Sequence, residues 1–177
     1  MASQATAVWQ TMVSPSYQTF WFHDPTCEES QNAATALLAS QREVVGWAPN
    51  AVMVQVTTDL VSMAVSIEAL DGPPDPDDAA DLARDGQLKM PGGVLSIPKS
   101  DDETLQTGVD LPAGPGTYGV RVYGYGRTRA KRLRDEAPGR GLPGEMDSLV
   151  EALTGVERYR ISLWQVSSEP RWDDEDD

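Results

Sequence analysis

From Val61 to Leu70 the chain alternates strictly. Val61, Met63, Val65 and Ile67 are apolar, while Ser62, Ala64, Ser66 and Glu68 between them are small or polar. A period of two predicts a half-buried strand. Ala51–Thr58 is a second strand, and Asp59-Leu60 is short enough for a hairpin or a bulged continuation between the two. Thr117–Tyr125 sets Tyr118, Val120 and Val122 on one face and Gly119, Arg121 and Tyr123 on the other, which should be wet. Arg158–Val166 alternates Tyr159, Ile161 and Leu163 against Arg160, Ser162 and Trp164. Val8–His23 reads as extended chain, with Pro15 confining its first part to an edge or a bend. Shorter strands are expected at Val44–Trp47 and Gly93–Ile97.

Two segments break this period. Ser30–Gln41 is rich in Ala and Leu and β-branched only at Thr35, which favours a short helix. Met146, Leu149, Val150 and Leu153 lie at helical spacing, with Gly155 as the stop. Turns fall at Ala48-Pro49-Asn50 and at Pro112-Ala113-Gly114-Pro115-Gly116. Asp71–Asp78 holds three prolines and four aspartates and can neither pair as a strand nor pack. The pattern predicts a mainly β chain: a single antiparallel β-sandwich, jelly-roll-like, with one or two short peripheral helices. Residues 1–168 are expected to form that one domain. Residues 169–177 should be an acidic, disordered tail.

Composition sharpens the picture through charge. The formal net charge is −14 in 177 residues. Residues 71–85 hold six Asp against Arg84, and residues 169–177 hold six acids against Arg171, so each segment carries a net of −5. Arg127–Arg134 is the reverse, with five basic residues in eight positions. Such a distribution points to a partner recognised by charge. A pI near 4.3 argues against direct binding of nucleic acid or an anionic membrane. No apolar run is long enough to span a bilayer, and the N-terminus does not read as a secretory signal. Cys27 is the sole cysteine, so no internal disulfide is available and a cytoplasmic location is expected.

Reaction chemistry finds little support. His23 is the only histidine, and its neighbour Asp24 should point to the opposite face of a strand. One Cys and one His do not make a zinc site. The Asp71–Asp85 segment lacks an EF-hand's spacing, because Pro73, Pro74 and Pro76 interrupt it. Gly124-Tyr125-Gly126 leads into a basic stretch without the Lys-Ser or Lys-Thr ending of a phosphate loop. Neither a catalytic set, nor a metal site, nor a cofactor is therefore expected. The Arg127–Arg134 block reads as a solvated helix pairing with the acidic loop.

Three stretches carry a family resemblance: Ser16–Asp24, with Tyr17, Phe20, Phe22 and the closing Asp; Val109-Asp110-Leu111-Pro112-Ala113-Gly114 with Thr117-Tyr118-Gly119-Val120; and Tyr159-Arg160-Ile161. In this order they resemble the ComJ-like family, inhibitors of DNA-entry nucleases in competent bacteria, over about a quarter of the chain. The resemblance implies a non-catalytic, acidic β-sandwich that binds a nuclease. The Asp71–Asp85 loop, the Arg127–Arg140 segment, the 145–154 helix and the tail depart from that pattern. The expected function is an acidic inhibitor or immunity-type protein that neutralises a basic effector such as a nuclease. Its candidate contacts are Asp75, Asp77, Asp78 and Asp81, with Asp173, Asp174, Asp176 and Asp177 as a second patch. The alternative is a structural or scaffolding subunit in which Arg127–Arg134 of one copy meets Asp71–Asp85 of another.

Overall fold

The computed structural model describes residues 3–27, 32–137 and 144–169. Among these residues strand content, 43%, exceeds helix content, 22%, as the alternation predicts. In chain order the elements are β1 (Ala5–Val13), β2 (Thr19–His23), α1 (Ala33–Glu43), β3 (Val45–Trp47), β4 (Ala51–Gln55), β5 (Met63–Leu70) and β6 (Leu82–Met90). They continue with β7 (Val94–Leu95), α2 (Glu103–Thr107), β8 (Val109–Asp110), β9 (Gly116–Tyr125), α3 (Arg127–Glu136), α4 (Glu145–Leu153) and β10 (Arg158–Ser168).

Five strands form one sheet in the order β1-β5-β10-β9-β6, three form a second in the order β2-β4-β3, and β7 pairs with β8. This corrects the expectation of a purely antiparallel architecture. β10 runs parallel to β5, with Ile161 opposite Ile67, while β1–β5, β9–β10 and β6–β9 are antiparallel. The expected hairpin through Asp59-Leu60 is also absent, since β4 and β5 belong to different sheets. The cause lies in β4, where Ala51, Val52, Met53 and Val54 are all buried. Val52 and Val54 enter the main core, whereas Ala51 and Met53 pack with Ala36 of α1. A strand covered on both sides belongs at the centre of a sheet, not beside β5 in a hairpin.

The inward residues of both large sheets share one hydrophobic cluster, with Phe20, Phe22, Val52 and Val54 from one and Val65, Ile67, Val120, Val122, Ile161 and Leu163 from the other. α1 lies close on β3 because Gly46 leaves room; a Cβ there would fall 1.8 Å from the Ala36 carbonyl oxygen. α3 and α4 form a satellite cluster around Ala130, Leu149 and Leu153. Among the described residues four helices thus stand where one or two were expected, and the basic block accounts for α3.

Residues 82–90 are a further correction. The acidic segment stops being a loop at Leu82 and becomes β6, an edge strand on β9. Leu82, Leu88 and Met90 point into the core, but Arg84 and Gly86, at the intervening positions of the same face, are exposed and half-buried respectively, so the hydrophobic period is lost in the middle. Gly86 sits there because the Trp47 ring occupies the space; a Cβ on Gly86 would fall 2.5 Å from that ring.

Candidate functional site

The outer face of the five-stranded sheet carries a ladder of alternating arginines and tyrosines. Antiparallel register sets Tyr123 opposite Arg160 and Tyr125 opposite Arg158. The Arg160 guanidinium lies 4.3 Å from the Tyr123 ring centre and Arg158 lies 4.9 Å from that of Tyr125, with Arg121 6.0 Å from the Tyr123 ring centre. Each contact places a cation on the negative face of a ring.

Residues 71–81 cross this ladder as a strap, and their prolines explain how. Proline has no amide donor but keeps its carbonyl. The Pro74 carbonyl accepts from Arg121 at 2.9 Å, and the Asp75 carbonyl accepts from the Tyr123 hydroxyl at 2.9 Å. Asp77 then turns inward. Its carboxylate accepts from the Tyr125 hydroxyl at 2.8 Å and the Ala79 amide at 2.9 Å, and pairs with Arg160 at 3.0 Å. Asp81 accepts from the Thr128 amide at 3.0 Å, which ties the strap to the start of α3. Asp85, in β6, pairs with Arg121 at 2.5 Å.

The electrostatics follow these bonds. The Tyr125 hydroxyl, the Ala79 amide and Arg160 hold the Asp77 carboxyl below its usual 3.8. Burial, then Asp77 itself, pushes the Tyr125 hydroxyl up to about 12. Asp85 and Tyr123 raise the Arg121 guanidinium above its ordinary range. Of the acids expected from the sequence, Asp75, Asp78 and Asp81 are exposed on the strap, while Asp77 is half-buried and anchors it. Asp173, Asp174, Asp176 and Asp177 lie outside the described residues.

The basic block divides by helix face. Arg127 turns inward, 2.9 Å from the buried Glu157 and 2.7 Å from the Gln55 carbonyl, and also bonds the Tyr159 hydroxyl. Arg134 bonds the Thr57 carbonyl and Asp135. Arg129, Lys131 and Arg132 are exposed. Contrary to the expected pairing of block and loop, the strap's ion pair goes to Arg160 on the sheet, and α3 contributes only the Thr128 amide.

His23 stacks on Trp21 at 4.2 Å, and burial lowers its pKa. Asp24, fully buried, accepts from the Thr26 amide and hydroxyl and from the Gly92 amide at 2.7 Å. Tyr118 donates to the Gly114 carbonyl at 2.5 Å, across the turn before β9. Asp24 and Tyr118 therefore hold loops in place. Among the described residues, no group of three or more His, Cys, Asp or Glu is placed to hold a metal ion.

Beside the strap lies a groove of about 760 Å³, floored by Gln10, Met12, Ser66 and Arg158 and flanked by Asp101 and Asp102. Sequence reasoning missed both the ladder and the groove. The signal for the ladder was Arg and Tyr recurring every second residue at 121–125 and Arg at 158 and 160; of these positions, Arg121 and Tyr123 were expected on a wet face.

No family model and no curated protein matches the sequence. Among solved structures the chain is similar to ComJ, inhibitor of the DNA degrading activity of NucA, from Bacillus subtilis. That likeness has a TM-score of 0.55 at 11% identity and covers 94% of this chain and 100% of that one. The fold is ComJ-like. Crocagin biosynthetic gene J shares it, with a TM-score of 0.51 at 17% identity and the same coverage. The ComJ-like fold thus extends over 94% of the chain, well beyond the quarter marked by the three sequence stretches.

Proposed function

We propose that this chain is a non-catalytic, acidic binding protein that inhibits a basic protein effector, a DNA-degrading nuclease in the first instance. The observation that carries the reading is the extent of the likeness to ComJ, a nuclease inhibitor, over 94% of this chain. Charge supports it. A nuclease must offer a basic cleft to phosphates, and a protein of net charge −14 is drawn to such a cleft quickly and in a salt-sensitive way. Asp75, Asp78 and Asp81 project from a backbone already fixed on the sheet, so little entropy is lost when they dock. Asp173, Asp174, Asp176 and Asp177 would form a second acidic patch. Inhibition needs no cofactor, and a single cysteine suits a reducing cytoplasm.

Titration of the purified chain into a basic DNA-degrading nuclease from the same organism tests this reading. Stoichiometric loss of DNA cleavage, relieved by salt, is the expected result. Full nuclease activity at saturating chain would overturn it. The scaffolding alternative is favoured by one observation, the exposure of Arg129, Lys131 and Arg132. It predicts a salt-sensitive oligomer in sedimentation, whereas the inhibitor reading predicts a monomer.

A further inference from the structure

β1 is an outer strand of the five-stranded sheet, and its composition is unusual for that position. Ala5–Val13 contains no charged residue and no proline, in a chain that is 24% charged. Edge strands normally carry such residues because their unpaired amides and carbonyls are templates for another strand. The opposite edge shows the normal device, since β6 carries Arg84, Asp85 and Lys89.

The register identifies the open groups. The Asp101 amide donates to the Met12 carbonyl and the Ser14 amide to the Lys99 carbonyl, so Met12 and Ser14 face away from β5. Backbone direction alternates along an antiparallel strand, so Gln10 and Val8 face the same way. Among the described residues, their amides and carbonyls have no partner on that side. The side chains of Val8, Gln10 and Met12 are exposed, and Gln10 and Met12 line the groove. Acids stand at both ends of the strand, Asp71 bonded to the Gln4 amide at one and Asp101 and Asp102 at the other.

We infer that the β1 edge is a docking site for an extended, basic segment of a protein partner, added as a sixth strand beside Val8 and Gln10. Backbone bonds to those two residues supply the pairing, and Lys or Arg flanking the segment meets the acids at the strand ends. Charge selects this occupant over a second copy of the chain, because two bodies of net charge −14 repel. The inference names a surface for the basic partner proposed above and rests on that reading for the partner's identity, but its test needs no nuclease.

The probe is a synthetic Lys-Thr-Val-Thr-Val-Lys peptide, with a Glu-flanked version as control, titrated into the isotope-labelled chain and followed by amide chemical shifts. The lysine peptide should produce saturable shifts at the Val8 and Gln10 amides that weaken with salt. The glutamate peptide should not. Gln10→Pro removes an amide that points away from β5, which an edge strand tolerates. It should weaken the peptide by about tenfold, the worth of one hydrogen bond, while the chain still melts cooperatively. Val8→Lys, which protects the edge by charge, should do likewise. Absence of shifts at Val8 and Gln10, equal response to both peptides, or a β1-mediated dimer of the free chain would overturn the inference. Loss of nuclease inhibition with peptide binding intact would instead count against the proposed function alone.

Discussion

Tyr17 and Gln18 make the two-residue turn between Ser16 and Thr19, with φ of 52° and 57°. A hairpin turn of this kind needs both central residues left-handed, which Asn-Gly adopts readily and Tyr-Gln does not. Tyr17 is also 93% exposed, so its ring gains no burial in return. Replacing the pair by Asn-Gly should stabilise the chain by about 1 kcal/mol, raising the melting temperature by about 2–4 °C in calorimetry. Glu157 presents the opposite case. Its carboxylate is buried and accepts from Arg127, from the Thr57 amide at 3.1 Å and from the Tyr159 hydroxyl at 2.5 Å. Burial, with Glu157 beside it, pushes the Tyr159 hydroxyl well above its usual 10. Glu157→Ala leaves the half-buried Arg127 without its counter-charge and should cost about 3 kcal/mol in urea unfolding, with Glu157→Gln milder. His23→Ala removes a ring stacked on Trp21 and should lower stability while leaving partner binding intact, as measured by titration calorimetry.

The strap is the element whose behaviour depends on pH. Asp77 has a folded pKa below its ordinary 3.8, so its contribution to holding the strap is complete above that value. It fades as pH falls through the depressed folded value. Hydrogen exchange at the Ala79 amide should therefore accelerate only in strongly acidic solution. In Asp77→Asn, which lacks the ion pair to Arg160, it should be faster already at neutral pH and should lose that acid dependence. What the sequence made legible at this scale is specific. β5 and β10 were readable because their apolar residues keep period two, β9 because Tyr118, Val120 and Val122 do so on the core side although its other face is covered too, and α4 because Leu149 and Leu153 share a helical face. β6 was not readable, since Gly86 yields its inward position to Trp47 and Arg84 stands beside it. Nor was the inward turn of Asp77, because its partners Tyr125 and Arg160 lie far along the chain and meet it only through the register of β9 and β10. Local period separates the two faces of a strand, but it does not tell whether the polar face is wet or covered: Tyr123, expected to be wet, is fully buried beneath the strap.

At the scale of the whole molecule, charge and fold must act together. The strap acids are tied to the sheet by neutral and cationic donors, so neutralising those that point outward should leave the fold alone. Asp77 anchors the strap and is kept out of that set. Asp75, Asp78 and Asp81 are the outward group, and Asp81 keeps an acceptor for the Thr128 amide when changed to Asn. The most direct measurement is the rate of association between the chain and a basic DNA-degrading nuclease from the same organism, taken across a salt series for the parent and for the Asp75→Asn, Asp78→Asn, Asp81→Asn triple variant. The account predicts a slower on-rate and a shallower salt dependence for the variant, with an unchanged melting temperature. An unchanged on-rate and salt slope would contradict it and remove the strap from the mechanism.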